Sequence, residues 1–363
     1  MIALDDIKEL LREADDNTLT LYLDVNPAAP DNQAPTPQWR IWLRNTLHDI
    51  ESGLQKDQMA IWHRMRPRVE EFFQSYRPQS TSLAVFFGSE LLREYPLQVP
   101  LQNRSSLGPP LITPLLWALD QHEPYLIALV DREEARLLTA SLGRPIGQEV
   151  DRLKLDTSQW HQTTARQAAA HAGRTAQGSS RRDDFARRVD EHEHHFWRQV
   201  GAHLETTMNR YQLRKLILSG PEEATTAVRA ALPERMARSV VGILSLPPRM
   251  PDAEALEQAN KLAESAERRA ESSLVDTVMD QAKSAGRGAL GKEPVLDALQ
   301  RRMIDTIVAA WPAQDEALLE QMAREAIRSG VRLELVRDEA ADALRRYDGL
   351  AALLRYVPPP PLE

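Results

Sequence analysis

The densest concentration of chemically capable side chains lies between Arg166 and Lys215. Ten bases fall there, Arg166, Arg174, Arg181, Arg182, Arg187, Arg188, Arg198, Arg210, Arg214 and Lys215, against six acids, Asp183, Asp184, Asp190, Glu191, Glu193 and Glu205. Such a run reads either as a solvated helix face or as a set of phosphate contacts to RNA. Within it, Gly173-Arg174-Thr175-Ala176-Gln177-Gly178 carries one carboxamide between two glycines, which give the backbone freedom that other residues lack. Glu191-His192-Glu193-His194-His195 follows. At helical spacing, His192 with His195, or Glu191 with His195, would share a face and could chelate. No distant ligand completes the set, so no metal site is expected. Ser179 and Ser180 lack the Gly-x-Ser-x-Gly frame of a nucleophile elbow. Gly286, Gly288 and Gly291 are not followed by Gly-Lys-Ser/Thr, which makes them a tight turn before a helix and not a phosphate loop. Trp39 and Trp42 read as packing residues and not as a ligand cage.

The bulk properties narrow the setting. A chain of 363 residues suggests two or three domains. Its formal net charge of −8 provides no global basic field, which excludes a simple nucleic-acid coat and leaves a local basic patch as the only electrostatic route to RNA. There is no cysteine, hence no disulfide, thiolate metal site or cysteine nucleophile, and a reducing cytoplasm is the expected location. Met1-Ile2-Ala3-Leu4-Asp5-Asp6 lacks the pattern of a signal peptide. The apolar run Leu126 to Val130 is far too short to cross a bilayer, so no membrane partner is expected.

The elements that must position these residues alternate between helix and strand. Leu19 to Val25 reads as a strand, followed by a Pro/Asn/Asp-rich loop from Asn26 to Pro37. Gln38 to about Tyr76 is helical, with Trp39, Trp42, Leu43 and Leu47 on one face, and Pro67 is expected to interrupt or kink it. Ser82 to Phe87 and Leu97 to Leu101 read as strands, and the Ser/Gly/Pro cluster Ser105 to Pro110 as a closing loop. A helix near Leu115 to Leu119 precedes a hairpin of Tyr125 to Val130 with Ala135 to Thr139. The polar segment Ser158 to Ser180 precedes a long helix from Asp183 to about Tyr211. Lys215 to Leu218 is a strand; Pro221 suits the helix start that follows, with Glu222 and Glu223 in its first turn. A strand from Val240 to Leu246 closes this part. From Pro251 come a long charged helix, a helix at Pro294 to Met303, a strand at Thr306 to Ala310, a helix to Ser329, a strand at Val331 to Val336 and a last helix. The tail Pro358 to Pro361 is expected to be extended. The pattern is α/β layering in three segments, 1–110, 111–248 and 249–363.

Position by position, Gly173-Arg174-x-x-Gln177, then Phe185-Ala186-Arg187, Glu191, His194, Phe196, Arg198 and Val200 resemble the loop and helix of archaeal and eukaryotic class 1 release factors. In that family a Gly-Gly-Gln tip follows Gly-Arg and precedes Phe-Ala-Arg-x-x-x-Glu-x-x-His-x-aromatic-x-Arg-x-Val. Two further stretches agree. Ser284 to Gly291, with Val295, Ala298 and Leu299, resembles a Gly-containing loop and Val-x-x-Ala-Leu helix in the last domain of release factors and Pelota. Gly349-Leu-Ala-Ala-Leu-Leu-Arg-Tyr356 resembles the family ending. The first segment lacks an Asn-Ile-Lys-Ser-type motif and is instead similar to the bacterial archaeo-eukaryotic-type relatives.

The resemblance implies an N-terminal α/β domain, a central nuclease-like α/β domain whose long helix carries the Gln loop, and a C-terminal α/β domain similar to kink-turn-binding ribosomal proteins. It implies a cytoplasmic factor that meets the ribosome through rRNA and peptidyl-tRNA, with a translational GTPase as a possible further partner and neither DNA nor a cofactor. Gln177 would be the catalytic residue of peptidyl-tRNA ester hydrolysis, with Gly173, Arg174, Thr175, Ala176 and Gly178 forming the tip. Arg174, Arg181, Arg182, Arg187, Arg188 and Arg198 would touch RNA. Thr175 and Ala176 replace the two tip glycines, and three extra residues separate Gln177 from Phe185 relative to the family spacing. A β-branched Thr resists the conformations glycine allows. Release or rescue by hydrolysis is one expectation, therefore, and a non-hydrolytic factor that occupies the A site in hibernation is the alternative.

Overall fold

The computed structural model describes residues 2–121, 123–141, 144–145, 151–155, 178–247 and 249–357, with the backbone alone at 57, 121, 141, 144–145 and 178–191. The described chain forms two compact units, 1–122 with 268–363, and 123–267. Each of the three segments proposed from the sequence carries one sheet.

In the first unit, β1 (Thr18–Asp24), β2 (Ser82–Phe87), β3 (Leu92–Leu97) and β4 (Arg104–Gly108) form an antiparallel sheet in the order β3-β2-β1-β4. Period-two alternation sends Leu19, Leu21, Leu23, Leu83, Val85 and Phe87 to one face. There they bury against Trp39, Leu43 and Leu47 of α2 (Gln38–Gly53) and Trp62, Met65, Val69 and Phe73 of α3 (Lys56–Ser75). α1 (Leu4–Glu13) precedes β1, burying Ile7 and Leu10.

Three expectations shift. The long helix breaks after Gly53, where Leu54 is extended, and restarts with Gln55 as N-cap; Pro67 lies inside α3 without ending it. Glycine is a poor interior helix residue, whereas the four apolar anchors of α3 flank Pro67 on both sides and hold the helix through the missing N–H. Leu97, Val99 and Leu101 are buried as their alternation suggested, but 98–103 joins no sheet: Pro100 has no N–H, and the Leu101 amide donates to Ser82 Oγ at 2.8 Å. Finally, Ser105 to Gly108 is not loop. It pairs with β1 as the second edge strand.

The C-terminal sheet has β11 (Gly288–Leu290), β14 (Leu350–Leu354), β12 (Ile304–Ala310) and β13 (Arg332–Val336) in that order, with β12 and β13 parallel. α9 (Lys292–Gln300) and α10 (Glu316–Ser329) cover the face of Ile307 and Ala309. α11 (Asp338–Arg345), with Val275 and Val278 of α8 (Asp252–Lys283), covers Val308 and Ala310. Gly291, at φ +88°, is the N-cap of α9, the turn expected of the glycine cluster. A Cβ on Gly288 would meet the Ala282 amide N at 2.3 Å and the Val278 carbonyl O at 2.5 Å, so only glycine lets β11 lie on α8.

Within this unit, Glu320 of α10 ties the two sheets. Its carboxylate accepts from the Ile112 and Thr113 amides at 2.9 and 3.0 Å, two of the four N–H groups that open α4 (Thr113–Gln121) and have no partner inside the helix. Burial pushes the Glu320 carboxyl above the ordinary glutamate value, overcoming the lowering by those hydrogen bonds and by Arg324. The folded protein thus binds that proton more tightly than the unfolded chain. Its contribution to stability falls as pH rises from the ordinary glutamate range through the raised folded value. Relative to Glu320→Gln, the wild-type melting temperature is expected to lose ground across that window and hold constant above it. Glu320→Ala should cost about 1–3 kcal/mol in urea melts, the penalty of buried donors left unpaired.

Candidate functional site

The second unit is built to hold one long helix. β5 (Tyr125–Val130) runs parallel to β9 (Lys215–Ser219), which is parallel to β10 (Val240–Leu244). β5 also forms the expected hairpin with β6 (Glu134–Ser141), and β7 (Arg144–Pro145) and β8 (Asp151–Lys154) both pair with β6. Asp131 sets the hairpin turn by accepting from the Glu133 and Glu134 amides at 2.8 and 2.6 Å, the local side-chain bond for which Asp is favoured in turns. Leu126, Ala128 and Val130 of β5 face one side of the sheet. Tyr125, Ile127 and Leu129 face the other, against Ala255, Leu256 and Ala259 of α8.

The first side receives α5 (Gly178–Arg210), a helix of 33 residues. Phe196, Val200, Leu204 and Met208 recur every fourth residue and are buried on the sheet together with Trp197, a stripe of the kind that anchors an amphipathic helix. At 1.5 Å per residue, Gly178 lies about 22 Å along the axis from Glu193, the first buried residue of the helix among those whose side chains are described. The loop Gly173 to Gln177 is outside the described residues, and Gly178 is the first residue of the helix. Gln177 is therefore joined directly to the N-terminal end of α5, which has no acid in its first turn. Unpaired N–H groups make that end partially positive, a setting that favours developing negative charge.

The motif residues divide by burial. Phe196 and Val200 are core; His194 and Arg198 are exposed. Arg181, Arg182, Arg187 and Arg188 fall in the helical course, where only the backbone is described; Arg174, Thr175 and Ala176 lie outside the described residues. Arg198 has no carboxylate partner among the described residues. One base at the other end of the run is taken up internally. Lys215 pairs with Glu267, and with Glu123 at 3.1 Å, while Arg214 lies 3.9 Å from Glu123. Burial pushes the Lys215 ammonium down, but the hydrogen bonds and charges of Glu267 and Glu123 outweigh it and leave the group above its ordinary value. Lys215 is thus a structural cation, which its place in the basic run did not reveal.

Three further features have little or no signal in the sequence. His194 meets Trp197 edge-to-face with centroids 5.4 Å apart, and Trp197 Nε1 donates to the Asp131 carbonyl at 3.4 Å. Glu193, His194 and Trp197 line an open cleft of about 790 Å³ with Glu222, Glu223 and Thr226 of α6 (Glu222–Ala231). Among the described residues no group of three or more His, Asp or Glu is placed to hold a metal ion. Gly201 lets α5 and α6 touch: an added Cβ would sit 3.4 Å from the Ala231 carbonyl O, ordinary contact for a methyl but not for a longer side chain. Gly201→Ala is expected to raise stability by about 0.5–1 kcal/mol through helix propensity. Gly201→Leu should lower it by about 1–3 kcal/mol through overpacking; thermal melts of the two variants check the opposite signs.

Residues 110–272 match the family model described as bacterial archaeo-eukaryotic release factor family 10. A comparison with curated proteins finds no match. Among solved structures, the chain is similar to an archaeal translation termination factor, aRF1, at 18% identity, with 98% of each chain covered and a TM-score of 0.29. It is similar to Archaeoglobus fulgidus Pelota at 15% identity, covering 98% of this chain and 92% of that one, with a TM-score of 0.35. It is also similar to S. cerevisiae Dom34, a translation termination-like factor, at 9% identity, covering 77% and 81%, with a TM-score of 0.47. Similarity at this level says nothing about activity. The family match spans the sheet, the long helix and the loop that precedes it, and over those residues the chain is similar to the bacterial archaeo-eukaryotic release factors.

Proposed function

We propose that this protein is a ribosome-associated translation factor that hydrolyses the ester of peptidyl-tRNA, with Gln177 as the catalytic residue. The observation that carries this reading is the family match across 110–272, which contains Gly-Arg-x-x-Gln177 joined directly to α5. Ester hydrolysis passes through a tetrahedral oxyanion, and donors aimed at that oxygen supply much of the rate. A carboxamide at the positive end of a long helix, held by the buried stripe Phe196 to Met208, suits that task. Arg174, Arg181, Arg182, Arg187, Arg188 and Arg198 are assigned to RNA phosphates, which would fix orientation without reading sequence. The test is peptide release from ribosomes carrying a defined peptidyl-tRNA, with ribosome co-sedimentation followed in the same samples.

Thr175 and Ala176 favour a second reading. They stand where the family has glycines, and a tip that cannot adopt the glycine conformation would occupy the A site without hydrolysis, as a hibernation or protection factor. Binding without release separates this reading from the first. Failure to bind ribosomes in any state would remove both.

A further inference from the structure

A second nucleic-acid contact can be read from the first unit, remote in sequence from the Gln loop. The Pro/Asn/Asp-rich segment after β1 is an ordered loop. Asn32 Nδ2 donates to the Asp24 and Asn26 carbonyls at 3.3 and 3.2 Å, its Oδ1 accepts from the Trp39 amide at 3.4 Å, and Gln33 Nε2 donates to the Pro27 carbonyl at 3.2 Å. This loop, the first turn of α2 and the end of α3 enclose an open cleft of about 780 Å³. Its lining includes Gln33, Arg40, Gln74, Tyr76 and Arg77 with several prolines, and no acid.

Both guanidinium groups lack a carboxylate partner among the described residues. Arg40 lies 4.6 Å over the Trp39 ring, and Arg77 Nη1 donates to the Gln74, Ser75 and Tyr76 carbonyls at 3.3, 3.5 and 3.1 Å. On a chain of net charge −8, a cleft lined by two unneutralised arginines and no acid is a local exception with a sign. Half-buried Tyr76 stacks on Phe72 with centroids 5.8 Å apart, which fixes its ring at the cleft wall.

We infer that this cleft binds single-stranded RNA, with Arg40 and Arg77 on phosphates and Tyr76 offering a surface for a base. A basic groove with an aromatic platform is the general solution for extended single strands, whose bases all present a π-face. The cleft is open, so a lone inorganic anion would stay hydrated there, whereas a strand gains from several weak contacts along it. The Gln74 amide and the carboxamide oxygen of Gln33 can meet a 2′-hydroxyl, the group that separates RNA from DNA. The inference deepens the ribosomal reading and rests on it for the source of the RNA.

The experiment uses the full chain and a fluorescein-labelled RNA of about eight nucleotides, within the usual site size of such grooves. Arg40→Gln/Arg77→Gln, shown folded by circular dichroism, is expected to weaken binding about tenfold or more and to flatten its salt dependence. In wild type, RNA carrying 4-thiouridine should crosslink within residues 32–40 and 74–78, a readout that needs no variant. Wild-type affinity in the folded double variant, crosslinks confined elsewhere, or tighter binding of the equivalent DNA strand would each overturn the inference. Ribosome co-sedimentation separates the failures. Ribosome binding without oligonucleotide binding sinks the cleft alone; crosslinking in the cleft without ribosome binding supports the cleft and sinks the ribosomal reading.

Discussion

Gln177→Ala is expected to reduce peptide release by about 10²–10³-fold while leaving ribosome co-sedimentation within about twofold of wild type, if the tip is hydrolytic. The magnitude is that of removing one preorganised donor from a developing oxyanion, roughly 2.7–4 kcal/mol of transition-state stabilisation. Binding should persist because the arginines assigned to RNA are spread along the helix and the tip, and each phosphate contact contributes a separate electrostatic increment. The tip itself supplies the companion experiment. Thr175→Gly/Ala176→Gly restores the backbone freedom of the family tip, since stiff β-branched Thr is the costly departure. Faster release in that variant, lost again when Gln177→Ala is added, would tie chemistry to the Gln and its conformation. Unchanged release in the Gln177→Ala protein would remove the mechanism, and binding without release by all of these proteins would make the non-hydrolytic reading the correct one.

Gly220→Ala is expected to be the most damaging single methyl in the second unit. Gly220 sits between β9 and the Pro221 N-cap of α6 at φ +142°, a conformation that L-residues rarely adopt. An added Cβ would lie 2.0 Å from the Val130 carbonyl O, which is backbone and cannot rotate away. The Gly220 amide also donates to the Leu244 carbonyl at 3.0 Å, so relaxing the clash disturbs β5, β9 and β10 together. Conformational strain of about 1–3 kcal/mol adds to the clash, giving a loss of roughly 3–5 kcal/mol, near the upper end for single substitutions. A Tm fall of roughly 10 °C in a thermal melt is the corresponding signal. A fall of only a degree or two would mean that the turn can change its course.

Elements were legible where a single strong period ran uninterrupted. The stripe Phe196, Val200, Leu204 and Met208 specifies an amphipathic helix by itself, and the apolar runs Tyr125 to Val130 and Leu216 to Leu218 specify strands covered on both faces. Gly220-Pro221 before two glutamates marked the start of α6, because proline and acids both suit a helix N-terminus. The motif from Gly173 to Val200 carried the resemblance to release factors. Edges and breaks were less legible. Arg104 to Gly108 has turn-forming composition, yet it pairs with β1; edge pairing is decided by what lies alongside and not by the segment's own residues.

By itself, then, the sequence determined the periodic elements, the missing tip glycines and the chemistry available at Gln177, all of which depend on residues close together in the chain. Tertiary structure decided which charges are free. Lys215 and Arg198 look alike in a list of basic residues, but Glu123 and Glu267 are brought to the first, while the second has no acid beside it among the described residues. It also decided that Glu320 closes α4 from more than 200 residues away in the chain and that Arg40 and Arg77 line one cleft. Charge and burial are set by neighbours in space, and for these residues the deciding neighbours arrive from distant segments.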